Sequence, residues 1–413
     1  MDNQARATRL DYADERLLTL DWPKAVMRVT RGLGSGLSRA HGDTSGRFWA
    51  IGDRGPNLKV KLAVERYGLT EIEAHRTVEG AKVMPCLDIG PALVELRLEG
   101  HCVTLVRVLP LLDADGRPLT GLPIPGGTNI DVEPAIGADG AVLPPDPGGV
   151  DSEGLAVAAD GSFWVGDEYG PSLLHVAPDG RVIERWVPRG SAASFVGARY
   201  PVVDCLPAIA ATRQLNRGFE ALALARDGQS LHLAFQSPLA HPDAAAHRAA
   251  RHVRLWTLAT EDGRLLAEYL YPLDPPGSFR RDVAKGAFDR SDIKVSELAV
   301  DADDRLLMLE RGSETTKLYR VSLSPDCALD AVSSDVDACP TLEQRSADGT
   351  LGNTPVLTKR LLISTDDLPE VGADLEGMLI LDDRTILLVN DNDFGIEGVA
   401  TEFWRITLAE PLA

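Results

Sequence analysis

Basic charge is scarce in this sequence: Lys and Arg number 42 against 62 Asp and Glu, a formal charge of −20 over 413 residues. That balance argues against nucleic acid or anionic membrane as partner, because both need a basic face. Cysteine is sparse and scattered at Cys86, Cys102, Cys205, Cys327 and Cys339. None forms C-x-x-C, which excludes a zinc knuckle or a thioredoxin-like motif. Cys327 and Cys339 flank "CALDAVSSDVDAC" and are candidates for a disulfide in an exported protein; an odd count leaves at least one thiol unpaired within the chain. No stretch approaches the ~18 apolar residues of a membrane span. The opening "MDNQARATRLDYADERLLTLDWP" lacks a basic segment followed by an apolar one, so no signal peptide is expected. G-x-S-x-G, Walker A, a G-x-G-x-x-G before a helix and H-E-x-x-H are all missing, which leaves the usual nucleophile, phosphate-loop and zinc-protease chemistries unsupported. The histidines are dispersed. His241, His247 and His252 read as an exposed helix near 241–253, and His175 and His232 as core or rim positions of strands.

What is present is a repeat. "DSEGLAVAADGSFWVGDEYGP" begins at Asp151, and related stretches begin at Glu220 ("EALALARDGQSLHLAFQSP"), Glu297 ("ELAVDADDRLLMLERG") and Glu376 ("EGMLILDDRTILLVNDNDFG"). Seven residues after each Glu stands an Asp: Asp160, Asp227, Asp304 and Asp383. A fifth, degenerate copy, "SGLSRAHGDTSGRFWAIGDRGP", has Ser35 where the others have Glu. Each copy reads as a β-hairpin: a short apolar strand, an Asp-Gly or Asp-Asp turn, and a return strand. Further strand pairs follow most copies, such as "SLLHVAPDGRVIERWVP". Two hairpins make a four-stranded antiparallel sheet, and a series of such sheets is a β-propeller. The expectation is a single all-β domain over 1–413 with five to seven blades, six favoured. A long loop insertion over about 113–150 has no core of its own, and the N-terminal strand pairs with "EFWRITL" to close the ring. Phe163 and Trp164 are expected to pack between blades.

In a propeller the first strand of each blade lines the central channel, so Glu153, Glu220, Glu297 and Glu376 should converge near the axis. A hairpin also brings its two open ends together. Asp53, Asp167, Glu168, Gln236, Glu310, Asn390, Asp391 and Asp393 should therefore gather at the same face. Crowded like charges repel by several kcal/mol in a poorly solvated site. A hard cation such as Ca2+, held by carboxylate and carbonyl oxygens, would offset that, as would the interleaved Arg54, Arg217, Lys294 and Arg311. A plainer alternative stays open: each repeat Glu hydrogen-bonds backbone N–H groups of a neighbouring blade and fastens the ring. "DNDF" at 391–394 is similar to part of a calcium loop, without the Gly and terminal Glu spacing of an EF-hand.

The segments "FWAIGDRGPN", "DSEGLAVAADGSFWVGDEYGPSLLHVAPDGRV", "RGFEALAL", "KVSELAV…LLMLERG" and "LEGMLILDDRTILLVNDNDFG" resemble the phytase-like domain, the "esterase-like activity of phytase" family, over about residues 30–410. The resemblance implies a bacterial β-propeller hydrolysing phosphoric or carboxylic esters, in a family whose members are often exported. By similarity the site falls to Asp53, Arg54, Asp151, Glu153, Asp167, Glu168, Glu297, Glu310, Arg311, Glu376 and Asp391. One functional expectation is a metal-dependent hydrolase of a small anionic ester, acting as a monomer. Asp53, Asp151, Asp167, Glu220, Glu297, Glu310, Glu376, Asp391 and Asp393 would hold Ca2+; Glu153 or Glu168 would act as base. Arg54 or Arg311 would stabilise developing charge, and Arg217, Lys294 and Tyr169 would contact substrate. The alternative is a non-catalytic propeller that binds calcium and a small ligand or protein partner. Four basic residues are few for a ligand as charged as phytate.

Overall fold

A computed structural model describes residues 4–127 and 131–412. Thr128–Ile130, within the expected insertion, lie outside the described residues, as do Met1–Asn3, where the leader reading began. The repeats fold as hairpins because their turn residues accept positive φ: Gly161 (+85°), Gly228 (+71°) and Asp304 (+57°). The first strands of the copies that begin at Asp151 and Glu220, Ser152–Val157 and Phe219–Leu224, are buried along their whole length, as a strand covered on both faces must be.

Five sheets of four or five strands result. The first comprises Gly36–Ser38, Arg47–Ile51, Ala92–Glu99 and Cys102–Pro110. Ser152–Val157, Phe163–Asp167, Ser172–Val176 and Val182–Pro188 make the second, with Val202–Leu206 added in parallel at its edge. The third runs from Phe219–Leu224 through Ser230–Phe235 and His252–Ala259 to Leu265–Pro272. The fourth holds Lys294–Val300, Leu306–Arg311, Thr316–Val321 and Lys359–Ser364. The fifth joins Leu375–Ile380, Thr385–Asn390 and Phe403–Thr407 to the N-terminal strand Arg6–Leu10, with Arg6 opposite Thr407 and Leu10 opposite Phe403. The pairing of the two chain ends in one sheet follows the expectation. The first strand of each sheet lies against the first strand of the next, and that of the fifth against that of the first. The arrangement is propeller-like.

Apolar side chains fill the spaces between neighbouring sheets. Phe163 of the second sheet meets Trp49 of the first edge-on at 4.8 Å, and Trp164 stacks on His175 at 4.4 Å while packing against Trp186. Phe219, Phe235 and Trp256 form a further aromatic group in the third sheet. Each such fully buried side chain stabilises the fold by roughly 1.5–3 kcal/mol.

No sixth four-stranded sheet occurs among the described residues. Among the described residues the connections 52–91, within the first sheet, and 111–151, between the first and second sheets, yield as strands only Leu58–Lys59, Lys82–Val83 and Ala135–Ile136, of two residues each. Two residues cannot cover a core face, so this piece shares an apolar cluster with the Arg16–Asp21 and Val26–Thr30 hairpin; of the 113–150 stretch Ile136 is the buried residue that enters it. The helix expected near 241–253 is Ala244–Ala249, capped by the Asp243 carboxylate on the N–H groups of Ala245 and Ala246. His241 and His247 are buried rather than exposed, because that helix folds against the third and fourth sheets' connections. His247 contacts the Pro238 carbonyl at 2.6 Å and His252 the Ser346 hydroxyl at 2.8 Å. All five cysteines are free thiols, Cys327 and Cys339 included. No helix is long and apolar enough to cross a membrane among the described residues.

Candidate functional site

Each repeat's first strand carries a β-bulge close to its leading Glu. The register slips between Ser152 and Leu155, Phe219 and Ala221, Val295 and Glu297, and Leu375 and Gly377. A bulge removes one residue from the ladder and re-aims its side chain. In the third and fifth sheets the extra residue is the repeat Glu itself, Glu220 or Glu376.

The fourth sheet differs. Its extra residue is Ser296, and Glu297 is paired opposite Leu309. The turn shows the same offset: Asp304, at positive φ, takes the place of Gly161 rather than of Asp160. Glu297 is therefore one residue out of phase with the other three, and its side chain goes elsewhere. Its carboxylate accepts the backbone N–H groups of Leu37 (2.9 Å) and Leu298 (3.0 Å). Burial pushes its pKa well up, against the opposing pull of the Leu37, Leu298 and Met378 N–H groups. It fastens the first strands of three sheets, which is the plainer role left open for the repeat Glu.

The acidic group centres on Asp53, Asp151 and Glu153, whose carboxylates each offer an oxygen within 4.8 Å of the others. Arg54 is threaded among them. It pairs with Asp151, with Asp53 at 3.1 Å and with Glu133 at 2.6 Å, and lies 3.9 Å from Glu168. Its guanidinium also donates to Asn216 Oδ1 (2.8 Å) and Tyr169 Oη (3.0 Å) and lies over the Tyr169 ring at 4.5 Å. Tyr169 is buried beneath it and donates to the Gly121 carbonyl. The Asp151 carboxyl is held by the Arg54 guanidinium on Oδ2 and by a hydrogen bond shared with Asp53.

The titration behaviour follows from this crowding. Burial raises Asp151 well above the usual carboxylate range; Arg54 opposes this and Asp53 adds to it. Burial also works against the charge on Asp53, but Arg54 and a hydrogen bond with Asp151 outweigh it and hold that carboxyl low. The two thus behave as a pair sharing one proton. Glu153 is driven well up by burial and then by Asp151, Asp53, Glu168 and Glu220. Asp391 is raised by burial, Asp393 and Asp53, and Asp393 reaches about 6 through burial, Asp53 and Asp374.

A second lobe adjoins the first. Glu168 is pushed up to about 7 by burial and Glu220, against Arg54 and Lys294. Glu168 Oε1 and both Glu220 oxygens are buried without a hydrogen-bond partner. Arg311 pairs with Glu376 and with Asp374 (2.7 Å), donates from Nε to Ser296 Oγ (2.8 Å), and stands 4.0 Å from Glu220. Arg217 donates to Gln236 at 2.9 Å. Lys294 makes no side-chain hydrogen bond or ion pair with the described residues, and burial with Arg311 and Arg217 lowers it to about 8. Arg217 and Lys294 border a cavity of about 560 Å³.

Asp53, Arg54, Asp151, Glu153, Glu168, Tyr169, Arg217, Glu220, Lys294, Arg311, Glu376, Asp391 and Asp393 thus fall in one connected region. Glu297, Asp167 and Glu310 do not join it as open ligands. Asp167 is sealed in an ion pair with Arg185 at 2.5 Å and accepts Asp151 N–H and Ser172 Oγ–H at 2.8 Å each. Glu310 precedes Arg311 on one strand, so the two point to opposite faces. Glu310 turns between sheets to Tyr271 Oη (2.8 Å), Asp274 N–H (2.8 Å) and Lys359 Nζ (2.6 Å). Sequence reasoning missed Glu133, Asn216 and Asp374, all on connecting segments outside the repeat and so without a spacing to mark them.

Residues 31–394 match the phytase-like family, described as esterase-like activity of phytase. An uncharacterised secreted protein of Arthroderma benhamiae is 31% identical over 240 residues, which span 52% of this chain and 44% of that protein. Among solved structures, a gluconolactonase of Xanthomonas campestris aligns over 98% of each chain at 11% identity and TM-score 0.33. Virginiamycin B lyase of Staphylococcus aureus aligns over 98% of this chain and 100% of its own at 11% identity and TM-score 0.36. Regucalcin, a calcium-binding protein of Agrobacterium tumefaciens, aligns over 98% and 96% at 12% identity and TM-score 0.36. Identities and TM-scores this low transfer no activity to this chain.

Proposed function

Because the chain belongs to the phytase-like family, we propose that it hydrolyses phosphate esters at the acidic end of its axial channel, with the five sheets acting as the blades of one propeller. The observation that carries this reading is the trio Asp53, Asp151 and Glu153, three carboxylates with oxygens within 4.8 Å of one another, of which Arg54 pairs with Asp53 and Asp151 but not with Glu153. Carboxylates crowded this closely in a buried site repel by several kcal/mol. An all-oxygen, anionic donor set fits a hard divalent cation such as Ca2+, with Asp391 and Asp393 close by. When bound, such an ion would supply charge neutralisation and an acidified water.

The chain's own residues divide the remaining work. Arg54 is enclosed by Asp53, Glu133, Asp151 and Glu168, so it orients the carboxylates and is not free to grip a ligand. Lys294 and Arg217 face the cavity and take the anionic group of the ester. Glu168, titrating at about 7, accepts a proton from the attacking water near neutral pH. Glu153 adds a third carboxyl oxygen at the trio. Turnover of an aryl phosphate, measured with Ca2+ and again with chelator, tests the reading. Loss with chelator and loss in Asp53→Asn and Glu153→Gln are expected. Equal rates in all four conditions would sink it.

The four carboxylates around Arg54 also favour a second reading, a propeller that binds calcium without turnover, since Arg54 already satisfies much of the site. Terbium luminescence quenched in Asp53→Asn, with no hydrolysis of any phosphate or carboxylic ester, would select that reading.

A further inference from the structure

A second cavity, of about 260 Å³, lies among the first strands of all five sheets. Leu37, Val157, Leu222, Leu298 and Met378 each bring one sheet to its wall. The last four follow the repeat Glu along their strands, which carries the wall away from the acidic group. Glu297, which receives the N–H groups of Leu37, Leu298 and Met378, fixes three of these strands against one another. A cavity of about 150 Å³ holds benzene, so this one takes an apolar body of roughly eight to ten carbons. Among the described residues, no buried polar atom without a partner belongs to this wall. The interior therefore calls for no hydrogen bond.

The border of the cavity is charged, and most of that charge is spent or solvated. Arg305 pairs with Asp301 at 2.9 Å and with Asp303 at 2.6 Å. His41 contacts the Leu224 carbonyl at 2.9 Å. Arg226, Asp382 and Asp383 are exposed to water. Arg39 differs from them. It is half-buried, and its Nη2 donates to the Ile380 and Leu381 carbonyls at 2.8 Å each. Carbonyls hold a guanidinium without neutralising it. Arg39 forms no ion pair among the described residues, and burial lowers its pKa against the opposing pull of Asp43 and Asp382. Its Nε and Nη1 make no hydrogen bond among the described residues, and neither is sealed in the interior. A carboxylate, whose two oxygens match the guanidinium fork, would supply the missing counter-charge. A second negative charge would meet Asp382 and Asp383 at the same border.

We propose that this cavity binds a monocarboxylate with an apolar tail of roughly eight to ten carbons, the carboxylate on Arg39 and the tail among Leu37, Val157, Leu222, Leu298 and Met378. The site is separate from the acidic group and needs neither metal nor turnover.

The test is calorimetric titration of the full chain at neutral pH with octanoate, 1-octanol, butanoate and octanedioate. Octanoate is expected to bind at least tenfold more tightly than each of the other three. Arg39→Met should remove its advantage over 1-octanol while 1-octanol itself binds within twofold of its original affinity. Should that variant fail to fold, Arg39→Gln keeps a donor for the Ile380 and Leu381 carbonyls and removes the charge, with the same expected result. No octanoate binding, octanoate binding no tighter than 1-octanol or octanedioate, or an unchanged preference in a folded Arg39 variant overturns the proposal. Chelator should leave octanoate affinity unchanged, so this reading and the hydrolase reading stand or fall separately; loss of octanoate binding with chelator would place the ligand at the acidic group and overturn the proposal.

Discussion

Glu168 and Asp393 show how a single residue couples this site to stability. Their folded pKa values, about 7 and about 6, lie above the ordinary 4.5 and 3.8. Below the ordinary values both folded and unfolded chains hold the protons, and the contribution to stability is complete. As pH rises through the gap the unfolded chain releases its protons first, so stability falls until the folded groups also ionise near pH 7. In the presence of chelator the unfolding free energy measured by urea titration should therefore drop between about pH 4.5 and 7, by up to about 1.4 kcal/mol per pH unit for each proton involved. Saturating Ca2+ should flatten that slope if the cluster holds the ion. Asp167 makes a contrasting case. Asp167→Asn would strand the fully buried Arg185, and chemical denaturation should register a loss of about 3–5 kcal/mol whether or not metal is present.

At the scale of the strand, the informative feature is how near the lining strands come to one another. A Cβ on Gly154 would lie 2.4 Å from the Glu220 carbonyl oxygen, and one on Gly377 3.0 Å from that of Gly34. At Gly154 the nearest obstacle is backbone, which cannot swing aside; at Gly377 the Val389 and Leu37 side chains come closer still, at 2.7 and 2.9 Å. Gly154→Ala should therefore push the second and third sheets apart and cost on the order of 1–3 kcal/mol, read as a lowered melting temperature together with weakened terbium binding, because Glu153 moves with it. The Glu-Gly of two repeats reflects this close approach, and the bulge beside it turns the Glu. The same bulge explains the phase error in the fourth repeat. Spacing to the turn aligned Glu297 with its three counterparts, but Ser296 is the extra residue there, and bulge position leaves no mark in apolar periodicity. Glu297→Gln should accordingly lower stability while leaving terbium affinity unchanged.

For the molecule as a whole, the two ends of the chain share one sheet. Arg6–Leu10 covers Phe403–Thr407, whose other edge is taken by Thr385–Asn390. Removing residues 1–10 would expose the backbone edge of the five-residue strand Phe403–Thr407, which invites pairing with another chain. Such a truncation should lower the thermal midpoint and produce soluble oligomers or aggregates on size-exclusion chromatography. Retention of a monodisperse species with the full-length midpoint would show that the fifth sheet holds without it.

The sequence by itself determined the all-β class, the hairpin as the unit, the terminal pairing and the gathering of acids around Glu153, because turn chemistry, apolar alternation and repeat spacing are local properties written residue by residue. Tertiary structure alone decided which acids stay unsatisfied and which are consumed. Asp167, Glu297 and Glu310 look like Glu153 and Glu220 in sequence, yet Arg185, three backbone N–H groups and Lys359 respectively claim them. Glu133 and Asn216 reach Arg54 from connections that no repeat announces. A carboxylate's role is set by the partners that long-range packing delivers to it, and those partners lie tens to hundreds of positions away along the chain.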